Sequence, residues 1–330
     1  MTSSKVKILF VTTQLPDTIK AEWPLYQNYT LPRVMEERGS VVSIMSWRDE
    51  NLTTEKIATF DVDTFLWCNI YDQYPLEFEN FILERLEPAK LRSSALKVMN
   101  DTTVILWNYN KAVYLQQLQT AGFNVPKTEY VEDIGSFGCV NSLTSEVARL
   151  AKAVSGSSTN LSVVIKPSIS SSSKQTHLMV DPSCMSSTDI DYLTALYRTG
   201  TDGSLMIQAY EADIASGEYS LVYIATSFTF AIHKVPSHGE FRCQPEFGGS
   251  TIEMAIDSIP KTIMTVAEDV IRYIGTNVGQ LTYCRVDGIV RHSGEFVIME
   301  VEAIEPDLYL EASQDGQTKE RLYEALELAI

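Results

Sequence analysis

Apolar runs and amphipathic stretches alternate along the chain from its start. Residues 7–11, Lys-Ile-Leu-Phe-Val, form an apolar run that leads into turn formers at 14–17, the pattern of a buried parallel strand entering a loop. Residues 31–38 carry a helical repeat that stops at Gly39, a residue suited to the left-handed end of a helix. Residues 41–45 and 62–67 read as a second and a third strand, and 75–86 as a helix. This alternation predicts an α/β unit over about the first hundred residues.

Beyond it, residues 103–106 are strand-like, and 111–120 predict a helix capped by Asn108 or Asn110 and stopped by Gly122. A helix at 141–154 leads into a polar linker, 155–160. An apolar strand at 161–165 ends in Lys166-Pro167 and a serine run from Ser168 to Ser173. The last third offers strands at 205–208, 219–226 and 227–233, then a helix at 259–274. Strands at 281–290 and 296–303 flank the turn His292-Ser293-Gly294, and an amphipathic helix at 320–328 closes the chain. There is no internal repeat.

At 330 residues, 45% hydrophobic and 21% charged, the chain has the composition of a globular protein with two or three packed units. The net charge of −17 opposes nucleic acid and anionic membranes, so an anionic ligand needs a local cluster of Lys and Arg. The cysteines, Cys68, Cys139, Cys184, Cys243 and Cys284, are odd in number and lack a C-x-x-C pair. That argues for reduced thiols in a cytoplasmic protein over a disulfide framework or a zinc site. The first apolar run is too short for a signal peptide or a membrane span.

The sharpest chemical signal lies in the last hairpin. Alternation along 296–303 sends Val297, Met299, Val301 and Ala303 to one face and Glu300 and Glu302 to the other. Arg285 and Asp287 share a face of the preceding strand, which brings Asp287 beside the two glutamates. Three carboxylates on one face repel unless a cation holds them, and Mg²⁺ prefers such hard oxygen ligands. A solvated acidic face with Arg285 as counter-charge is the alternative.

Lys166, at a strand end before the serine run, could meet phosphates together with the loop's N–H groups and hydroxyls, although the usual glycines are missing. Alone it reads equally as a lysine entering solvent. Lys111, in the first turn of its helix, opposes the helix dipole, a cost of about 0.3–1 kcal/mol that function can override. Lys234 and Arg242 flank a turn, followed by Gly248-Gly249, that would serve as a lid over phosphates or as a plain surface hairpin.

In this order, the segments Trp107-Asn108-Tyr109-Asn110-Lys111, Val125-Pro126-Lys127-Thr128, Val164-Ile165-Lys166-Pro167, Ile207-Gln208-Ala209-Tyr210, Gly217-Glu218-Tyr219-Ser220, His233-Lys234-Val235-Pro236 through Arg242, Gly248-Gly249, Arg285-Val286-Asp287 and Glu300-Val301-Glu302-Ala303-Ile304-Glu305-Pro306 resemble the ATP-grasp superfamily. The likeness covers about residues 100–315 and is to glutathione-synthetase-like ligases, above all the cyclo-ligase that closes O-ureido-serine in cycloserine biosynthesis. It implies an α/β and α+β architecture: a Rossmann-like domain over 1–108, a central ATP-grasp subdomain over 109–206 and a C-terminal one over 207–330, with ATP between the last two. It further implies that Lys111 and Lys166 hold ATP phosphates, that Gln208, Ala209, Tyr210 and Glu211 form the hinge reading adenine, and that Glu218 lies near the ribose. Lys234 and Arg242 would face the γ-phosphate and the acyl phosphate, and Asp287, Glu300 and Glu302 would hold Mg²⁺, as two ions, with Mn²⁺ as a substitute. Glu302 stands where many ATP-grasp ligases have Asn, and the serine run replaces a glycine-rich loop.

The implied activity is an ADP-forming ligase that turns a small amino-acid-derived carboxylate into an acyl phosphate and couples it to an amine. Ring closure through the same acyl phosphate stays open, and a homodimer is compatible with this reading. Arg285 would either bind a substrate carboxylate or form a salt bridge to Glu300 or Glu302. The rivals are a nucleotide-binding scaffold without turnover and a dinucleotide oxidoreductase; the latter lacks a G-x-G-x-x-G after the first strand.

Overall fold

The structure is a computed structural model that describes residues 5–13, 30–65, 75–155, 161–171, 173–244 and 247–309, with Glu320, Tyr323 and Glu324. The turn expected at 14–17, the strand end at 66–67, the linker at 156–160, Ser172 and most of the closing helix lie outside the described residues. Three sheets organise the rest.

The first sheet has strands β1 (Lys7–Thr12), β2 (Val41–Ser46), β3 (Val62–Phe65) and β4 (Lys97–Met99), all parallel in the order β2-β1-β3-β4. Ile8 and Phe10 enter one core and Leu9 and Val11 another, which is why β1 reads as a continuous apolar run. Its helices are α1 (Thr30–Glu37), α2 (Thr54–Ile57) and α3 (Pro75–Phe81), which runs through a π-helical turn, Ile82–Leu86, into α4 (Glu87–Arg92).

Residues 103–106, expected as a strand, lie inside helix α5 (Thr102–Asn108). Asp101 caps it, accepting from the Thr103 N–H at 3.0 Å. Thr102, Val104, Ile105, Trp107 and Asn108 are all buried, so the helix is apolar nearly all round and shows no 3.6-residue period. Helix α6 (Lys111–Thr120) follows, capped by Asn110, whose side chain accepts from the Ala112 N–H at 3.0 Å.

The second sheet is antiparallel: β5 (Thr128–Val131), β6 (Val163–Pro167), β7 (His177–Met179) and β8 (Leu205–Ala209), in the order β5-β8-β6-β7. Helices α7 (Val140–Ser155) and α8 (Ser187–Thr199) cover it and close a separate core. Because β8 pairs with β5 and β6, the division expected between residues 206 and 207 falls within a strand of this sheet.

The third sheet, also antiparallel, has β9 (Glu218–Ile224), β10 (Ser227–Val235), β11 (Ser250–Met254), β12 (Tyr283–Val290) and β13 (Phe296–Glu302), in the order β11-β10-β9-β12-β13. Helix α9 (Lys261–Asn277) packs on one face through Ile263, Ala267, Val270 and Ile274. Trp107, Tyr114, Leu115 and Leu118 of α5 and α6 join that core, so these helices pack on the third sheet, not within the second. On the opposite face Val222, Ile224, Phe230, Ile232 and Tyr283 share a core with Ile8, Phe10 and Met35 of the N-terminal unit. Strand alternation then leaves Glu218, Ser220, Lys234, Arg285 and Asp287 on the continuation of that second face.

Candidate active site

These side chains are brought together by strand register. Asp287 of β12 lies opposite Glu300 of β13, and Arg285 opposite Glu302. On the other side Asp287 faces Ser220 of β9, and Glu218 faces Lys234 of β10. Carboxylate oxygens of Asp287, Glu300 and Glu302 lie within 4.8 Å of one another.

The expected alternation along β13 holds for the two glutamates and fails before them. A bulge between Asp287 and Gly288 makes the register jump from Glu300 to Ile298, leaving Met299 as the extra residue. Phe296, Ile298, Val301 and Ala303 therefore enter the core under α9. Val297 and Met299 join a small apolar cluster with Ile214, Cys243 and Ile289 instead, beside Tyr210 and Phe241.

Four cations answer the carboxylates. Lys234 Nζ is 2.5 Å from Glu218 and 3.5 Å from Asp287. Lys111 Nζ is 3.1 Å from Glu300 and donates to the Ser170 carbonyl. Arg285 grips Asp287 through Nε and Nη2 at 2.9 Å each, reaches Glu302 at 2.5 Å and donates Nη1 to the Asp307 carbonyl at 2.9 Å. Of the two roles open for Arg285, the ion pair is formed, to Glu302 and to Asp287. Lys166, on β6, is electrostatically coupled to Glu300.

Burial and charge pull these groups in different directions. Burial opposes ionisation of Asp287, but Arg285 and Lys234 outweigh it and hold its carboxyl down at about 2. Burial likewise works against Glu300, and Lys111 and Lys166 bring it below the usual carboxylate range. For Glu302 burial wins over Arg285 and pushes the carboxyl up to about 8. Glu218 is also raised by burial, against the pull of Lys234. Burial lowers the Lys166 ammonium, with Glu300 opposing. Burial acts against the Lys234 charge too, and the Asp287 and Glu218 carboxylates more than restore it.

The three close carboxylate oxygens of Asp287, Glu300 and Glu302 are a hard-oxygen donor set of the kind Mg²⁺ takes. The residues present fit the ion.

Other expected residues lie around this centre. Gln208 is buried in β8 and donates to the Thr128 hydroxyl at 3.2 Å. The Ala209 N–H donates to the Lys127 carbonyl at 2.8 Å and the Tyr210 N–H to the Ser162 carbonyl at 3.1 Å. Glu211 is held by the Arg291 guanidinium. Arg242 is not drawn into the acidic cluster: it forms a two-point pair with Glu240, at 2.7 and 3.0 Å, and its guanidinium lies 3.5 Å from the Phe247 ring centroid.

Half of the serine run is not a free loop. Ser168 and Ser170 are buried, the Ser168 N–H donates to the Ser204 carbonyl at 2.8 Å, and its carbonyl accepts from the Lys111 N–H at 2.8 Å. Ile169 enters the N-terminal core beside Leu9, Val11 and Ile304. The far end meets the segment after β10, Gln244 donating to the Ser173 hydroxyl at 2.7 Å.

Ser220 is a site residue the sequence reasoning missed. Its hydroxyl donates to Asp287 at 2.7 Å, and its place two residues after Glu218 on the same strand face was the available signal.

This arrangement of sheets and helices is shared with solved structures of the ATP-grasp fold. A D-cycloserine synthetase, DcsG, superposes with a TM-score of 0.71 at 18% identity, over 98% of this chain and 100% of that one. A D-alanine–D-alanine ligase from Bacillus anthracis in complex with ATP gives 0.63 at 13% identity, covering 98% of each chain. A RimK-domain ATP-grasp protein from Sphaerobacter thermophilus gives 0.59 at 14% identity, over 97% of this chain and 99% of that one. No family profile and no curated protein sequence matches the chain. Among the described residues, no helix is long and apolar enough to cross a membrane.

Proposed function

We propose that the chain is an ATP- and Mg²⁺-dependent ligase that activates a small amino-acid-derived carboxylate as an acyl phosphate and couples it to an amine, releasing ADP and phosphate. The observation that carries this reading is the group of Asp287, Glu300 and Glu302 within 4.8 Å, ringed by Lys111, Lys234 and Arg285 in a chain of net charge −17. So many buried charges are costly to assemble for stability alone.

In this proposal Asp287, Glu300 and Glu302 hold Mg²⁺, which when bound supplies charge neutralisation for the phosphates. Lys111, Lys166 and Lys234 bind and orient the triphosphate, and Glu218 lies toward the ribose. The 208–211 segment carries the adenine, beside the apolar cluster of Tyr210, Phe241 and Met299. Arg285 fixes the carboxylates it grips. Arg242 would reach the phosphates only by leaving Glu240.

A carboxylate oxygen attacks the γ-phosphorus, the bond to the β-phosphate bridging oxygen breaks, and ADP leaves. The amine then attacks the acyl carbon, phosphate departs and the amine loses a proton. Phosphoryl transfer needs in-line positioning and charge neutralisation more than covalent help. The residues around the acidic trio are suited to both.

The TM-score of 0.71 with the cycloserine synthetase supports a second reading, in which the nucleophile belongs to the same molecule as the carboxylate. The test is ADP release across a panel of free amino acids and small derivatives, with Mg²⁺ or with excess chelator. Chelator-sensitive ADP release with a small carboxylate supports the proposal, and product mass separates the readings. Ring closure yields one substrate less water, joining two substrates less water. ATP bound without turnover across the panel would favour the scaffold.

A further inference from the structure

Asn108 lies outside the charged cluster, and the sequence reading gave the residue itself no role beyond a possible helix cap. It is buried at the end of α5, and its side chain does not cap α6, because Asn110 does. Its carboxamide reaches across to β13. Nδ2 donates to the Val301 carbonyl at 2.8 Å, and Oδ1 accepts from the Ala303 N–H at 2.7 Å. Those backbone groups flank Glu302.

The position of β13 makes these contacts consequential. Among the described residues it is an edge strand, paired with β12 alone, and it ends at Glu302. Among the described residues, no strand pairs with the outward groups of Val301 and Ala303. A side-chain carboxamide offers the same donor and acceptor as a peptide group, so Asn108 stands in for the next strand at the point where the ligating strand would fray. Asn100 secures the other side of Ala303, donating to its carbonyl at 2.7 Å and to that of Tyr283 at 2.8 Å. Three residues after Asn108, Lys111 pairs with the Glu300 side chain. One helical corner thus holds Glu302 by its backbone and Glu300 by its charge.

We propose that Asn108 is a positioning residue for the metal site, fixing the backbone that carries Glu302 so that its carboxylate converges with Asp287 and Glu300. The inference rests on the metal reading above. Arg285 joins Glu302, at 2.5 Å, to Asp287, while Glu300 is held by Lys111, so a strand end free to shift would let the Glu302 carboxylate stay with the guanidinium and part from Glu300.

The test uses the full chain and Mn²⁺ alone as probe, with free ion read from its electron paramagnetic resonance signal. Asn108→Leu, which keeps the volume and removes both hydrogen bonds, is expected to weaken Mn²⁺ binding about tenfold, the lower range for supporting partners of metal ligands. Glu302→Gln should weaken it at least as much, and the double variant no further than Glu302→Gln alone. A merely structural Asn108 would lower the melting temperature and leave Mn²⁺ affinity of the folded protein unchanged. That result, or a loss that adds fully to Glu302→Gln, overturns the positioning role. Asn108→Ser, which keeps a hydroxyl, gives the same comparison if the leucine variant does not fold. Unchanged Mn²⁺ binding in Glu302→Gln would instead overturn the metal reading itself.

Discussion

At the residue scale, the site's buried cations are held by carboxylates and carbonyls. Lys111, 6% exposed, has Glu300 and the Ser170 carbonyl as partners. Glu300→Gln therefore leaves a buried cation with a weaker partner. Breaking such a pair costs about 3 kcal/mol, the low end of the usual range because the Glu300 side chain is 30% exposed. Urea unfolding should show that loss, and adding Lys111→Met should restore much of it. Equal instability of single and double variants would show the pair is not coupled.

A second prediction concerns acid. The hydrogen bond from Arg242 holds the Glu240 carboxyl down at about 2, against its ordinary 4.5. A depressed folded-state value means stability that is present above 4.5 and is lost as pH falls from there through about 2. Arg242→Gln should flatten the acid limb of the stability profile in that window, and an unchanged limb would contradict the assignment. Both glutamates of the trio and Asp287 were legible from strand alternation alone. Asn108 was not, because a buried carboxamide bonded to backbone has no period and no charge to mark it.

At the element scale, the strands with strict alternation or long apolar runs were readable, and the misreadings have physical causes. Helix α5 is buried nearly all round, so its short apolar core could not be told from a strand. The bulge at Met299 changes the phase of β13 part-way, which a fixed two-residue period cannot foresee. The serine run read as a loop that could meet phosphates, yet Ile169 within it is buried in the N-terminal core. Hydrogen exchange without nucleotide should accordingly find the amides of Ser168 and Ile169 protected, since they donate to the Ser204 and Asp202 carbonyls. Rapid exchange at both would show that this half of the run is loose. The turn at 237–240, with few apolar contacts, is expected to exchange faster and to slow with an ATP analogue.

At the scale of the whole molecule, the N-terminal and third sheets share one core, whereas the second sheet closes mainly its own and lends Met206 to the core under α9. This seam was not legible, because sequence order places α5 and α6 beside the second sheet while their apolar faces match the third. Ile169 is the point where the second sheet's loop enters the N-terminal core. Ile169→Ala should cost about 2–4 kcal/mol through lost burial and a cavity. Calorimetry should show the N-terminal and third sheets unfolding together, with any separate transition belonging to the second.

The central claim is that a substrate carboxylate is activated by phosphoryl transfer from ATP, and following its oxygen tests this most directly. A carboxylate labelled with ¹⁸O, chosen from the panel as one that drives ADP release, is turned over with Mg²⁺, and the phosphate is analysed by mass. Activation as an acyl phosphate leaves one carboxylate oxygen on the departing phosphate, so one ¹⁸O per phosphate is predicted. Unlabelled phosphate alongside ADP would contradict the account, because ATP would then be hydrolysed without touching the acid.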